Sequence, residues 1–253
     1  MEAAVEIRHL KKTFDGREYV LSDLNLIVPK GQITAIIGFS GTGKSVLLKH
    51  ILGLISPTEG EVRVLGKVLN DLSYEELTEF RCHLGVLFQN SALFDDMTVI
   101  ENVSFPMVEH RPGWGEKRIR ETAARKLNDS GMDEKHFQKL PEELSGGQRK
   151  RVGLARALAL DPDIILYDEP TTGLDPILTE MVDDLILSTH EKNKGSTSIM
   201  VSHDLPAAFR ISDFIVMLDK GGVLLQGDQQ TFFDSQIPLV RRFLEKGFKR
   251  DES

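Results

Sequence analysis

Cysteine is almost missing from this chain: one thiol, Cys82, in 253 residues. A lone thiol closes no internal disulfide, so a reducing compartment is expected, and a small buried hydrophobe is the usual role of such a residue. Long apolar runs are missing too. Nowhere do about 18 apolar residues follow one another, so no helical membrane span is expected. The opening MEAAVEIRHLKKTF has no apolar stretch of about 7–15 residues, so no signal peptide is expected either. Work at a membrane would therefore go through partners. Positive charge is in deficit, with 31 Lys+Arg against 39 Asp+Glu and a net charge of −8. Such a surface is not built to neutralise a phosphate backbone, and no nucleic acid partner is expected. Short repeats, low-complexity tracts and Pro/Ser-rich linkers do not occur.

What is present is the balance of an ordinary globular chain, 40% hydrophobic and 28% charged. At this length roughly three quarters of the unfolded surface can be buried. Val5 and Ile7 alternate with charged residues, and Leu24, Leu26 and Val28 do the same beyond the turn signal Asp15-Gly16, which predicts strands. The apolar run Ile33–Ile37 reads as a buried strand, followed by a glycine-rich loop and a helix from Ser45 to Leu52. Pro57 and Gly60 stop that helix, and Glu61–Leu65 returns to strand. Similar buried strands are predicted at Leu84–Phe88, Ile164–Tyr167, Ser198–Ser202 and Phe214–Leu218. Strands alternating with helices imply an α/β fold with a largely parallel sheet covered on both faces. Residues 91–158 break the rhythm. They read as a helical subdomain, with a charged helix at Glu116–Lys126 after the loop Arg111–Gly115. One domain over 1–253 is expected. Its core spans about 1–90 and 159–230, and a short tail at about 231–253 contains a helix at Pro238–Lys246.

Gly38-Phe39-Ser40-Gly41-Thr42-Gly43-Lys44-Ser45 satisfies GxxxxGK[ST] between a predicted strand and a predicted helix. The glycines let successive backbone N–H groups curl toward phosphate oxygens, and the helix start at Ser45 and Val46 adds its positive end. Lys44 would reach the β- and γ-phosphates, and the Ser45 hydroxyl would sit on Mg²⁺. Further along, Ile164–Tyr167 buries a strand whose end presents Asp168 and Glu169. Asp168 can organise a Mg²⁺ shell through water, and Glu169 can orient or deprotonate an attacking water. Adjacent acids at a strand end can also form a solvated turn; the phosphate loop in the same chain favours the first reading.

Leu144-Ser145-Gly146-Gly147-Gln148 opens a helix through Arg149–Ala159 and makes a second anion-binding helix start in one chain. LSGGQ, the phosphate loop and the Asp-Glu strand together resemble the ATP-binding cassette proteins, over nearly the whole length. That resemblance implies a P-loop NTPase core with a mostly parallel sheet, an antiparallel β subdomain and an inserted helical subdomain. It implies ATP and Mg²⁺ as ligands. It also implies a head-to-tail pairing of two copies, in which Ser145, Gly146, Gly147 and Gln148 of one cap the γ-phosphate held by the other. Gln89 matches the glutamine that touches Mg²⁺ or water and senses the membrane subunit. Asp175 matches the loop that meets the partner copy. His203, 34 residues beyond Glu169, matches the histidine that contacts the γ-phosphate. Phe14 is the better match for the aromatic that stacks on adenine, with Tyr19 as second choice, and Phe39 stands where the family often has proline. The catalytic set implied is Glu169, His203, Lys44 and Gln89, and the Mg²⁺ set is Ser45, Gln89 and Asp168. The remaining histidines have no metal-ligand spacing.

The stretch Asn90–Val99, with Glu101-Asn102-Val103 and Phe105-Pro106, and the segment Pro238–Leu244 resemble the ATPases of Mla/Mce-type lipid transporters. This implies a multi-pass permease, a periplasmic lipid-binding protein and a small regulatory subunit as partners. It implies phospholipid as cargo, and a peripheral position on the cytoplasmic face of the inner membrane. The alternatives are a polar-solute importer, such as one for amino acids, and a non-transport ABC protein. The latter usually carries two cassettes, a long coiled coil or zinc cysteines, none of which occurs in this sequence.

Overall fold

A computed structural model of the chain describes residues 2–193 and 195–248. Two compact units emerge, one from Met1–Leu77 with Thr197–Ser253, the other from Thr78–Ser196.

The first unit begins with β1 (Ala3–Thr13) and β2 (Tyr19–Pro29), an antiparallel pair. Alternation places Val5 and Ile7 of β1 with Leu24, Leu26 and Val28 of β2 in the core, and register shifts in the pairing beyond Ile7 bring Leu10 and Leu21 into it as well. Strand β3 (Ile33–Gly38) is buried along its whole length. Helix α1 (Lys44–Ile51) follows the phosphate loop, and β4 (Glu59–Val64) and β5 (Lys67–Val68) complete an antiparallel sheet of order β2-β1-β4-β5. Helix α2 (Tyr74–Phe80) lies where the units divide.

In the second unit the chain forms β6 (Leu84–Leu87), α3 (Val99–His110), α4 (Glu116–Asp129), α5 (Gly146–Ala157), β7 (Ile164–Asp168) and α6 (Pro176–Lys192). Helices α3, α4 and α5 close around Val99, Val103, Met107, Ala123, Leu127, Val152 and Ala155. Thr98 and Glu101 start α3 with a reciprocal capping box. Strands β6 and β7 run parallel, pairing Leu84 with Ile164 and Leu87 with Tyr167.

The first unit resumes with β8 (Thr197–Val201), α7 (Leu205–Ile211), β9 (Phe214–Asp219), β10 (Gly222–Gly227), α8 (Gln229–Phe233) and α9 (Pro238–Phe248). Strand β3 lies between β8 and β9, parallel to both, while β10 adds antiparallel to β9. A strand flanked on both sides and buried along its length needs a largely apolar, β-branched run, which Ile33–Ile37 supplies with Thr34 as its one polar member.

The predicted strands and helices fall where expected, most ends shifted by one or two residues, while α4 runs three residues past Lys126 and β1 and β2 extend well beyond the alternating stretches that marked them. The expected strand 61–65 is Glu59–Val64, and the helix expected through Ala159 stops at Ala157. The compact division differs from the expected helical insertion at 91–158, because the second unit also takes in β6, β7 and α6. Close packing explains this: a Cβ at Gly85 of β6 would lie 2.5 Å from the carbonyl oxygen of Ala157 at the end of α5. Cys82 is only half-buried, short of the core position expected, and burial still raises its thiol pKa. Of the expected tail, residues 249–253 lie outside the described residues.

Candidate nucleotide site

In the first unit β3 runs into the phosphate loop at Gly38, whose φ is +151°. Glycine is required there, since a Cβ would come within 2.6 Å of the Leu218 carbonyl oxygen on β9 and 2.9 Å of Thr42 Oγ1. Gly43 precedes α1 in a left-handed conformation, and a Cβ on it would strike Leu21 at 2.6 Å. Backbone, not side chain, therefore shapes the loop. Helix α1 has no side-chain cap and no acidic residue in its first turn, which leaves its positive end to an anion. Lys44 is buried, with Nζ donating to the carbonyl oxygens of Gly38 at 2.8 Å and Phe39 at 3.0 Å. Thr42 Oγ1 donates to the same Phe39 carbonyl at 2.9 Å. Ser40, Gly41 and Ser45 are exposed, and Val46 is half-buried.

His203 follows β8 and is exposed. Parallel pairing sets Ile36 opposite Val201. Two residues beyond that pair come Gly38 and His203, so both leave their strands at the same edge. Phe14, just past β1, is 65% exposed, with the Lys12 ammonium 5.1 Å from its ring centroid. Tyr19 is also exposed, but its hydroxyl is 3.5 Å from Glu59 Oε1. Phe14 thus has the more open ring.

The second unit repeats the device of registered strand ends. Leu87 of β6 pairs with Tyr167 of β7, so Gln89 and Glu169 each lie two residues past a matched pair. Glu169 has a φ of +47°, rare for a side-chain-bearing residue and a place where backbone strain is held. Thr172 Oγ1 donates to Glu169 Oε2 at 2.7 Å, which orients the carboxylate. Asp168 closes β7 and is half-buried.

Two basic side chains of α5 hold the segment after β6, and neither was anticipated. Lys150, 5% exposed, donates from Nζ to the backbone carbonyl of Gln89. Burial lowers its pKa to about 8, against the opposing pull of the Asp168 carboxylate. Arg156 donates to the carbonyls of Ser91 at 2.8 Å and Ala92 at 2.7 Å, two successive residues with positive φ. Burial lowers the Arg156 pKa as well. In the sequence these are indistinguishable from basic residues on the solvent face of a helix.

Ser145 caps α5: its Oγ accepts from the Gln148 N–H at 3.3 Å, while Gln148 Oε1 accepts from the Ser145 N–H at 2.9 Å. Gln148 Nε2 lies 3.3 Å from His136 Nε2. The side chain and N–H of Gln148 thus serve to fix the helix start. Gly146 meets nothing within 4 Å at its missing Cβ and has no left-handed φ. The chain's own packing does not demand glycine there. Asp175 caps α6, accepting from the Leu178 N–H at 2.9 Å.

Among the described residues no three His, Cys, Asp or Glu side chains gather to hold a metal. Each unit carries hard oxygen donors of the kind Mg²⁺ prefers, the Ser45 hydroxyl in the first and the Gln89 amide and Asp168 carboxylate in the second. No helix among the described residues is long and apolar enough to cross a membrane.

A strand-fed phosphate loop, an Asp-Glu strand end and a glycine-opened helix capped by serine define an ATP-binding cassette ATPase. The chain belongs to the ABC transporter family, whose family model matches residues 21–172. It is accordingly the ATP-binding, ATP-hydrolysing subunit of a transporter. The probable ribonucleotide transport ATP-binding protein mkl of Mycobacterium leprae is 40% identical over 246 residues, covering 96% of this chain and 69% of that protein. The intermembrane phospholipid transport system ATP-binding protein MlaF of Haemophilus influenzae is 41% identical over 242 residues, covering 95% and 90%. Among solved structures, the dimeric post-hydrolysis state of the ATP-binding cassette MJ0796 bound to ADP and Pi superposes with a TM-score of 0.80 at 35% identity, covering 88% of this chain and 98% of that one.

Proposed function

We propose that two copies of this chain pair head to tail around two ATP molecules and drive a permease that moves phospholipid across the cell envelope. The pairing is supported by Gly146, whose open backbone no internal packing explains, and by the dimeric, ADP-bound relative. In this reading Gly38–Val46 cradles the phosphates, and Lys44 leaves its loop carbonyls to neutralise the β- and γ-phosphates. Ser45, Gln89 and Asp168 hold Mg²⁺, which when bound with ATP supplies charge neutralisation on the phosphate oxygens. Glu169, oriented by Thr172, takes the proton of the attacking water, and His203 faces the γ-phosphate. Ser145, Gly146 and Gly147 of the partner copy cap that phosphate from the other side, with Gln148 holding the cap and Asp175 meeting the neighbour. Phe14 stacks on adenine. Catalysis of this kind is positioning plus electrostatics.

The permease is proposed to dock on the groove lined by Val86, Phe88, Phe94, Phe105, Pro106 and Arg156, beside Gln89. ATP-driven closure would then reach the membrane through the Gln89 segment. Phospholipid is favoured as cargo by the MlaF relative, which this chain matches over 90% of its length. The further partners in that reading are a periplasmic lipid-binding protein and a small regulatory subunit, with the ATPase peripheral on the cytoplasmic face of the inner membrane. A polar-solute importer is the second reading, favoured by the methionine import ATP-binding protein MetN 4 of Oceanobacillus iheyensis, 34% identical over 251 residues, 98% of this chain and 72% of that protein. Affinity purification of the chain from membranes tests the choice. Co-purification of a multi-pass permease with a lipid-binding protein is expected; a soluble solute-binding protein and its permease instead would refute the lipid reading.

A further inference from the structure

Phosphate binding does not call for an aromatic side chain at Phe39. The loop works through backbone N–H groups, and its pattern leaves the second position open to any side chain. An aromatic ring there has another use. The Phe39 ring stands edge-on to that of Phe243 on α9, with centroids 4.9 Å apart and planes at 77°, the geometry aromatic quadrupoles prefer.

Helix α9 lays one face on the first unit through Val240, which is buried, and Phe243, Leu244 and Gly247, which are half-buried, at helical spacing. Besides Phe39, that face meets α7. A Cβ on Gly247 would come within 2.7 Å of Leu205 Cδ2 and 2.8 Å of Leu205 Cβ, so the two helices are flush. Phe248 lies 5.5 Å from Phe209, centroid to centroid. Leu205 comes two residues after His203, and Phe39 comes one after Gly38. The parallel register of β3 and β8 sets Gly38 and His203 at one strand edge. One helix thus touches both chain segments leaving that edge. The Phe39 peptide is the one whose carbonyl accepts from Lys44 Nζ and Thr42 Oγ1. Anchoring its ring therefore anchors the acceptor that positions the phosphate-binding ammonium.

We propose that Phe243 is a positioning residue for nucleotide binding that acts through Phe39, with α9 bracing the phosphate loop and the His203 segment together. This rests on the loop being the ATP phosphate site. A brace that pre-organises a loop strengthens binding by removing the ordering cost from the binding step.

The test is a double-mutant cycle on ADP affinity in the full chain, read by titration calorimetry, with ATPase KM and kcat alongside. Phe243→Ala is expected to weaken ADP by about two- to tenfold, the worth of an aromatic pair, and to raise KM more than it lowers kcat. Phe39→Ala is expected to reproduce that loss, the double variant to bind no worse than either single, and Phe243→Tyr to restore most of it. Phe39 is exposed, so its substitution tests the pair even where Phe243→Ala folds poorly. Unchanged ADP affinity in Phe243→Ala and Phe39→Ala, or losses that add in the double variant, overturn the proposal alone. A wild-type chain that does not bind ADP overturns the reading of the loop and the proposal with it.

Discussion

The buried ammonium of Lys150 donates a hydrogen bond to the backbone carbonyl of Gln89. Lys150 stands on α5, the helix that Ser145 caps, so the helix start proposed to cap a phosphate is tied to the segment proposed to sense the permease. Arg156 repeats the link one and a half turns later, through Ser91 and Ala92. Lys150→Met removes a part-buried hydrogen bond from a charged donor to the Gln89 carbonyl, a loss of about 1.5–3 kcal/mol. We expect a fall of that size in urea stability and a lower ATPase kcat, with Lys150→Gln, which keeps a donor, falling less. Wild-type stability and turnover in Lys150→Met would show the bond to be idle.

Glu169 carries the other sharp expectation. Glu169→Gln keeps the shape and the Thr172 contact but removes the proton acceptor. Turnover should fall by about 10²–10⁴-fold, the contribution of a positioned general base, with ATP affinity retained. Steady-state hydrolysis and equilibrium ATP binding, measured on the same preparation, decide it. Hydrolysis at the wild-type rate would remove Glu169 from the mechanism.

Asn102 is fully buried on α3 and organises the loop that follows the Gln89 segment. Its amide oxygen accepts from the Phe94 N–H at 2.8 Å, and its amide nitrogen donates to the carbonyls of Phe94, Met97 and Thr98. Asn102→Ala removes the partner of the Phe94 N–H and of the Met97 carbonyl, while the Phe94 and Thr98 carbonyls keep backbone donors from Met97 and Asn102; the expected loss is about 1–3 kcal/mol. Chemical denaturation should show that loss. Hydrogen exchange should rise at Phe94, whose N–H loses its acceptor, and stay unchanged in β3 of the first unit.

His50 gives the fold an acid sensitivity. It is buried on α1, and burial holds its pKa below the ordinary 6.5, against the opposing effect of donating from Nδ1 to the Val46 carbonyl at 2.8 Å. The unfolded chain therefore binds this proton more readily than the folded one. Above about pH 6.5 both states hold a neutral ring and the group contributes nothing to the pH dependence. As pH falls through 6.5 toward the depressed folded value, unfolding takes up a proton and stability drops. His50→Gln removes that uptake. The difference in urea midpoint between wild type and variant should therefore shift in favour of the variant between pH 7.5 and 5.5, and a constant difference would contradict the buried neutral ring.

Local chemistry was legible in advance where backbone conformation and capping require particular residue types. The phosphate loop needs glycine at Gly38 because β9 passes within reach of any Cβ, and a buried parallel strand needs the apolar run Ile33–Ile37 before it. Ser145 before Gly146-Gly147-Gln148 reads as a helix start, and the structure adds that Ser145 and Gln148 close a capping box there. Strand β10 and helices α2, α6 and α7 were not anticipated. β10 is an edge strand without clean alternation, and α2 and α7 have seven residues each, too few for a helical period to show.

Sequence alone therefore settled the family of chemistry: a phosphate loop, an Asp-Glu strand end and a second anion-binding helix start, each written in a contiguous stretch. Tertiary structure decided which distant residues support them. Lys150 and Arg156 act on backbone carbonyls, and every residue has a carbonyl, so no pattern in the chain marks the acceptor. Phe39 and Phe243 are separated by some 200 positions and meet only because α9 folds onto α7 beside the strand edge where Gly38 and His203 emerge in register. Contacts of this kind depend on which surfaces the packed elements bring together, and that information belongs to the fold as a whole.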